Sequence, residues 1–263
     1  PAIVTRVVDT MTDAPRPTRA EATDVANAIL DGADCIMLGA ETLRGQNVVT
    51  CVKTVLQICA EAEKCFDYSA FYKGIMETAS PGEATGVGPT LSEEDALASS
   101  AVRAADKVDA RLIVCFTETG RTASNLAKFR PPMPILTVVV PKLISNTISW
   151  GFSGDSQARQ SLIHRGTVPI LADPTMGPRR GVMDDSILQF SINKAHLMGL
   201  VRSGDPVVVS QRIGASSVVK VVTVGLDVPL SGAGATSGGA GSWGAQMTSS
   251  MADLRSALPT PTA

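Results

Sequence analysis

The sequence predicts an α/β protein in two parts, followed by a polar tail. Three observations carry that reading. Strand-sized apolar runs alternate with segments of helical periodicity from the first residues onward. The strand runs, such as Asp34–Leu38 and Leu112–Phe116, are continuous rather than alternating, which suits strands covered on both faces of a parallel sheet. The helices are announced by capping residues at their starts.

Pro1–Val8 reads as the first strand, and Ala14–Pro17 as a Pro-rich turn. Thr18-Arg19-Ala20-Glu21 then forms a capping box. The Thr18 hydroxyl can accept an orphan backbone N–H, while Glu21 reaches back to the Thr18 N–H. The helix it opens sets Val25, Ala28 and Ile29 on one face, and Gly32 can end it. Asp34–Leu38 is the second strand. A second helix over about Val48–Phe66 carries Val52, Val55, Leu56 and Cys59 at helical spacing. Two βα units in succession imply a parallel sheet, yet two units cannot bury both faces of their strands.

Residues 67–90 read as a linker, because Ser80-Pro81-Gly82 and Gly86–Pro89 are turn-formers. Residues 91–226 read as a second α/β domain. Ser92-Glu93-Glu94-Asp95 caps a helix bearing Leu97, Ala101, Val102 and Ala105. Strands follow at Leu112–Phe116, Pro134–Val139 and Val168–Leu171, with helices at Thr119–Phe129, Gln157–Arg165 and Ser186–Leu200. Pro206–Ser210 and Val218–Val224 close the domain as a pair of strands turned at Gly214. Residues 227–263 are rich in Gly, Ala and Ser and too poor in apolar side chains to offset chain entropy. They read as a disordered tail, with Met247, Met251, Leu254 and Leu258 at helical spacing.

Composition narrows the function. Apolar residues make up 44% of the chain and charged residues 18%, enough to build cores in both parts. A net charge of -2 gives no electrostatic footing for nucleic acid. No apolar run approaches the roughly 18–20 residues of a spanning helix. The 5 cysteines lack paired metal spacing and read as buried thiols. The 2 histidines, His164 and His196, are too isolated for an acid–base pair and read as structural. The chain starts at Pro1, directly before Ile3 and Val4 of a strand, which reads as a fragment or an incomplete gene model.

Site chemistry is sparse. Thr117-Glu118-Thr119-Gly120-Arg121-Thr122 links a strand to a helix, and hydroxyls and N–H groups at a helix start can hold an anion. Thr117, Thr119, Gly120, Arg121 and Thr122 are the candidates there, with Glu118 an opposing charge. Arg16 and Arg19 could hold an anion too, or pair with Glu21, Asp24 or a neighbouring subunit.

The segment Thr5–Thr42 carries a resemblance. Pro15-Arg16-Pro17-Thr18-Arg19-Ala20-Glu21, then Asp24-Val25-Ala26-Asn27-Ala28, Asp31-Gly32-Ala33-Asp34, Met37-Leu38 and Glu41-Thr42 resemble the last two βα units of the pyruvate kinase (β/α)8 TIM barrel. Arg165-Gly166 and Pro169-Ile170-Leu171 resemble the family's C-terminal α/β domain, and the whole likeness covers about residues 1–226. Thr5-Arg6-Val7-Val8-Asp9 and Gly39-Ala40-Glu41 look like the plant-type cytosolic branch. The resemblance implies a partial barrel over 1–66, then an α/β domain with a mostly parallel sheet.

It also implies a function: phosphoryl transfer from phosphoenolpyruvate to ADP, giving pyruvate and ATP. Mg2+ and K+ serve that chemistry in the complete enzyme, with their ligands expected outside this chain. A cytoplasmic homotetramer is the implied setting, with no nucleic-acid or membrane partner. Thr5 matches the family's Thr beside the substrate carboxylate and the proton path to the enolate. Glu41 can serve as an acid behind those groups, or equally as a charge at a helix start. Gly39 stands where many relatives carry a Ser. The anion loop matches the family's effector loop, although the hairpin Gln211–Ser216 lacks the Trp of activated relatives. The alternative reading is a truncated, non-catalytic module for effector binding or subunit association.

Overall fold

A computed structural model describes residues 1–79, 91–145, 150–173, 185–213 and 216–230. The chain divides into two compact units, the first within Pro1–Phe66 and the second within Asp67–Gly232.

In the first unit, β1 (Ile3–Thr5) pairs in parallel with β2 (Cys35–Met37), Ile3 opposite Cys35 and Thr5 opposite Met37. The run from β1 passes through a 3-10 turn, Asp9–Thr12, to helix α1 (Arg19–Leu30). The capping box forms as expected: the Thr18 side chain accepts from the Glu21 N–H, and the Glu21 carboxylate accepts from the Thr18 N–H. Gly32, at φ 101°, takes the left-handed backbone that closes the helix. After β2 come a one-turn helix α2 (Ala40–Leu43) and the long α3 (Val48–Lys64). Val8, Met11, Val25 and Cys51 are fully buried between these elements, with Val7 and Val55 beside them. Each such aliphatic side chain contributes about 1.5–3 kcal/mol by leaving water.

The second unit is built on a five-stranded sheet in the order β7-β4-β3-β8-β9. Its strands are β3 (Leu112–Thr117), β4 (Ile135–Val139), β7 (Thr167–Leu171), β8 (Pro206–Ile213) and β9 (Ser216–Thr223). All pairings are parallel except β8 with β9. Successive residues of β3 serve opposite faces. Leu112, Val114 and Phe116 join one core, where α8 (Asp185–Leu197) packs through Ile187, Leu188 and Ile192. Ile113 and Cys115 join the other, under α5 (Glu93–Lys107) and α6 (Arg121–Lys128). Burial on both sides explains why this strand reads as an unbroken apolar run.

Four features depart from the sequence reading. Within the expected linker, Tyr68–Ala79 is a helix, α4. Its Tyr72, Ile75 and Met76 pack against the core under α5, so the apolar spacing outweighs the turn-formers that follow; residues 80–90 lie outside the described residues. Val228 is buried and bridges Val224, so residues 227–230 belong to the second unit rather than the tail. The Gly214 turn and residues 231–263, with Met247–Leu258, lie outside the described residues. An antiparallel pair, β5 (Lys142–Ser145) with β6 (Trp150–Ser153), precedes the short helix α7 (Asp155–Ser161) and had no clear signal in the sequence. Cys65 is exposed, unlike the buried Cys51 and Cys115; all 5 thiols are free.

Candidate functional site

In parallel sheets, sites gather beyond the C-terminal ends of strands, where loops leave the sheet. Thr5 is the last residue of β1, lies opposite Met37 and is exposed. The next residue, Arg6, holds φ 59°, a left-handed backbone uncommon for a side chain of its size. Its guanidinium reaches Asp9 at 3.3 Å on the surface. The chain then turns inward, burying Val7, Val8 and Met11.

Glu41 follows the end of the neighbouring strand β2 and is fully buried. Its Oε1 accepts from the Gly39 N–H at 2.9 Å, while Oε2 has no hydrogen-bond partner among the described residues. A Cβ on Gly39 would sit 3.7 Å from that Oε2, an ordinary contact distance. Burial, followed by the nearby Glu41 charge, raises the Cys51 thiol above its ordinary range. The fold thus places Thr5 at the C-terminal end of β1 and Glu41 four residues past the end of the adjacent parallel strand β2.

Arg16 and Arg19 are exposed and make no ion pair with Glu21 or Asp24 among the described residues. Glu21 is engaged elsewhere. Its Oε1 accepts the Thr10 N–H at 2.9 Å. Its Oε2 accepts the Thr18 N–H and the Thr18 hydroxyl, each at 2.8 Å, and also the Thr10 hydroxyl. Burial alone would push this carboxyl up, but the Thr10 and Thr18 hydrogen bonds outweigh it and bring the pKa to about 2. The capping box was legible in the sequence; the bonds to Thr10, 11 residues away, were not.

The anion-loop candidates are brought together at the end of β3. Thr117 is buried, and its hydroxyl accepts the Gly120 N–H at 2.9 Å. Gly120, at φ 86°, turns the chain into α6. Thr119 and Arg121 are exposed, and Thr122 is half-buried. The charges on this turn are balanced locally. Arg121 lies 3.5 Å from Glu94, and Glu118 pairs with Lys142 at 2.5 Å. An incoming anion would compete with Glu94 for Arg121, though so exposed a pair is weak.

The model described as pyruvate kinase, barrel domain, matches residues 2–52. The model described as pyruvate kinase, alpha/beta domain, matches residues 95–222. The chain belongs to the pyruvate kinase family. It is 50% identical over 223 residues to pyruvate kinase 2, cytosolic, of Oryza sativa subsp. indica, covering 84% of this chain and 41% of that protein. Against the cytosolic isozyme of Nicotiana tabacum the identity is 44% over 220 residues, with 84% and 42% covered. Among solved structures, Cryptosporidium parvum pyruvate kinase in complex with ADP superimposes with a TM-score of 0.68 at 30% identity, covering 85% of this chain and 40% of that one. The chain therefore spans about two fifths of the length of the curated relatives it matches.

A pyruvate kinase implies Mg2+ and K+. Among the described residues, no three His, Cys, Asp or Glu side chains gather into a cation site. The described residues therefore offer no carboxylate cluster to hold Mg2+. No helix among those residues is long and apolar enough to cross a membrane.

Proposed function

We propose that this chain supplies the end of the catalytic barrel and the C-terminal domain of an enzyme that moves the phosphoryl group of phosphoenolpyruvate to ADP. The observation that carries this is the 50% identity to a cytosolic pyruvate kinase, with Thr5 at the C-terminal end of a parallel strand. The phosphoenolpyruvate C–O–P linkage breaks at phosphorus, a terminal oxygen of ADP forms the new O–P bond, and the enolate left behind takes a proton at carbon. Positioning and charge neutralisation do most of the work in such a transfer. We assign Thr5 to the second half, as the hydroxyl that borders the substrate carboxylate and relays the proton, with Glu41 behind it. Mg2+ and K+, cytoplasmic location and assembly as a homotetramer belong to the same reading.

The test uses two proteins. One is the 263-residue chain alone, and the other is the same chain preceded by the barrel segment of the rice relative that it does not cover. In a coupled assay with phosphoenolpyruvate, ADP, Mg2+ and K+, only the second should turn over. In it, Thr5→Ala should lower kcat by about 10²–10⁴-fold, the usual weight of a proton-transfer group, while KM changes far less. Thr5→Ser should retain much of the rate. Full turnover by Thr5→Ala removes Thr5 from the chemistry, and turnover by the 263-residue chain alone refutes its assignment as one part of the catalytic unit.

A further inference from the structure

We propose that Glu21 is a positioning residue for this reaction, clipping the loop that leaves Thr5 onto the start of α1 so that the strand end keeps one geometry. The inference rests on the functional reading above. A left-handed Arg6 directly after Thr5 persists only where its surroundings over-determine it. The Arg6–Asp9 pair is exposed and weak support by itself. Val8 and Met11 anchor the loop from below by full burial. Glu21 fixes it from the side.

A helix cap requires of Glu21 only its bond to the Thr18 N–H. The two bonds from Thr10, backbone and hydroxyl, do nothing for the helix; they tie the Asp9–Thr12 turn to α1 across 11 residues. The same turn is met from the other side, where the Thr12 carbonyl accepts the Gln46 N–H at 3.3 Å. One carboxylate therefore fixes the turn that follows Thr5 at the end of β1, and the same turn meets Gln46 of the segment that follows Glu41 in α2. The lowered pKa of Glu21 agrees with a carboxylate held charged by these donors.

Glu21→Gln separates the two roles. With its oxygen in place of Oε2, the amide keeps the Thr18 bond, and Gln is a normal capping-box residue. Its NH2 then faces the Thr10 N–H, donor against donor. Both readouts are made on the complete enzyme, this chain preceded by the rice barrel segment. We expect kcat to fall about 10–10²-fold, since a displacement of about 1 Å costs roughly 10², with KM for phosphoenolpyruvate little changed. Amide hydrogen exchange should quicken at Thr10, Met11 and Ala14 but not within α1. A kcat within about twofold of the parent, or unchanged exchange at those amides, overturns the proposal. A folded but inactive parent defeats the functional reading instead, and exchange then decides this one alone. Should Glu21→Gln not fold, Thr10→Val removes one bond only; it should quicken the same amides, and no change there is equally fatal.

Discussion

Glu21 has a pH dependence whose sign follows from its bonds. Its folded pKa, about 2, lies below the ordinary 4.5, so the folded state binds its proton less readily than the unfolded chain. The stability it contributes is present in full above about pH 4.5 and is lost as pH falls towards 2. The gap in urea midpoint between the parent and Glu21→Ala should thus be widest near neutral pH and narrow steadily below pH 4.5. A gap that widens in acid contradicts the assigned bonds. Gly45 is a second position open to test. A Cβ there would meet the Glu41 carbonyl oxygen at 2.1 Å, against backbone that cannot swing aside. Gly45→Ala should destabilise the first unit by about 1–3 kcal/mol, the usual cost of forcing atoms into a packed place, read as a lower denaturation midpoint. The sequence exposed some of this chemistry and hid the rest for identifiable reasons. Thr18 and Glu21 stand three apart, a spacing that announces itself. The reach to Thr10 depends on how the turn folds back, and the left-handed Arg6 has no Gly or Asn to advertise it.

Among the elements, strands and helices were legible where a local pattern and a tertiary role agree. β3 is a run of apolar residues because both faces are covered, and α5 begins where Ser92 accepts from the Asp95 N–H at 3.1 Å. α4 was missed because the turn-formers after residue 79 coloured the whole stretch, and its partners lie far along the chain. The Tyr72 hydroxyl shares a 2.5 Å hydrogen bond with Ser99, and the Arg103 guanidinium lies 5.2 Å from the Tyr72 ring centre. The Arg165 guanidinium donates to the Tyr68 hydroxyl at 3.1 Å, and Arg130 sits 5.1 Å from the Phe71 ring centre. Three aromatic side chains of one helix are thus each met by an arginine of the second unit, over an apolar contact through Ile75 and Met76. Residues 91–230 produced without α4 should therefore melt below residues 68–230. Tyr72→Phe should cost about 1 kcal/mol in the longer piece, the worth of one hydrogen bond. Equal melting temperatures for the two pieces would show that α4 adds nothing to that unit.

Taken whole, the chain should behave as a self-sufficient unit joined to a dependent one, and the difference should be measurable. The second unit covers both faces of its sheet, and all six residues of β3 are buried. Cys115 within it is so enclosed that burial pushes its thiol up to about 12, despite the Thr137 hydroxyl beside it. The first unit has two short strands paired only with each other among the described residues. Ile3, Thr5 and Met37 on them are exposed, and Leu43 and Val49 beyond them are open to solvent as well. Such strands present free edges and one uncovered face, the arrangement that invites loose pairing and aggregation. Their helices pack well around Val8, Val25 and Cys51, but that cluster alone is small against the ordering cost of the residues involved. In a monomeric sample of the 263-residue chain, amide exchange should therefore be slowest across Leu112–Thr117 and Ile135–Val139 and clearly faster at Cys35–Met37. Adding the rice barrel segment upstream should slow Cys35–Met37 towards the rate of the second-unit strands, because neighbouring strands would then pair the edges and fill the open face. If Cys35–Met37 is already as protected in the chain alone as β3 is, the first unit stands without further barrel strands, and its description as the end of a larger barrel loses its physical basis.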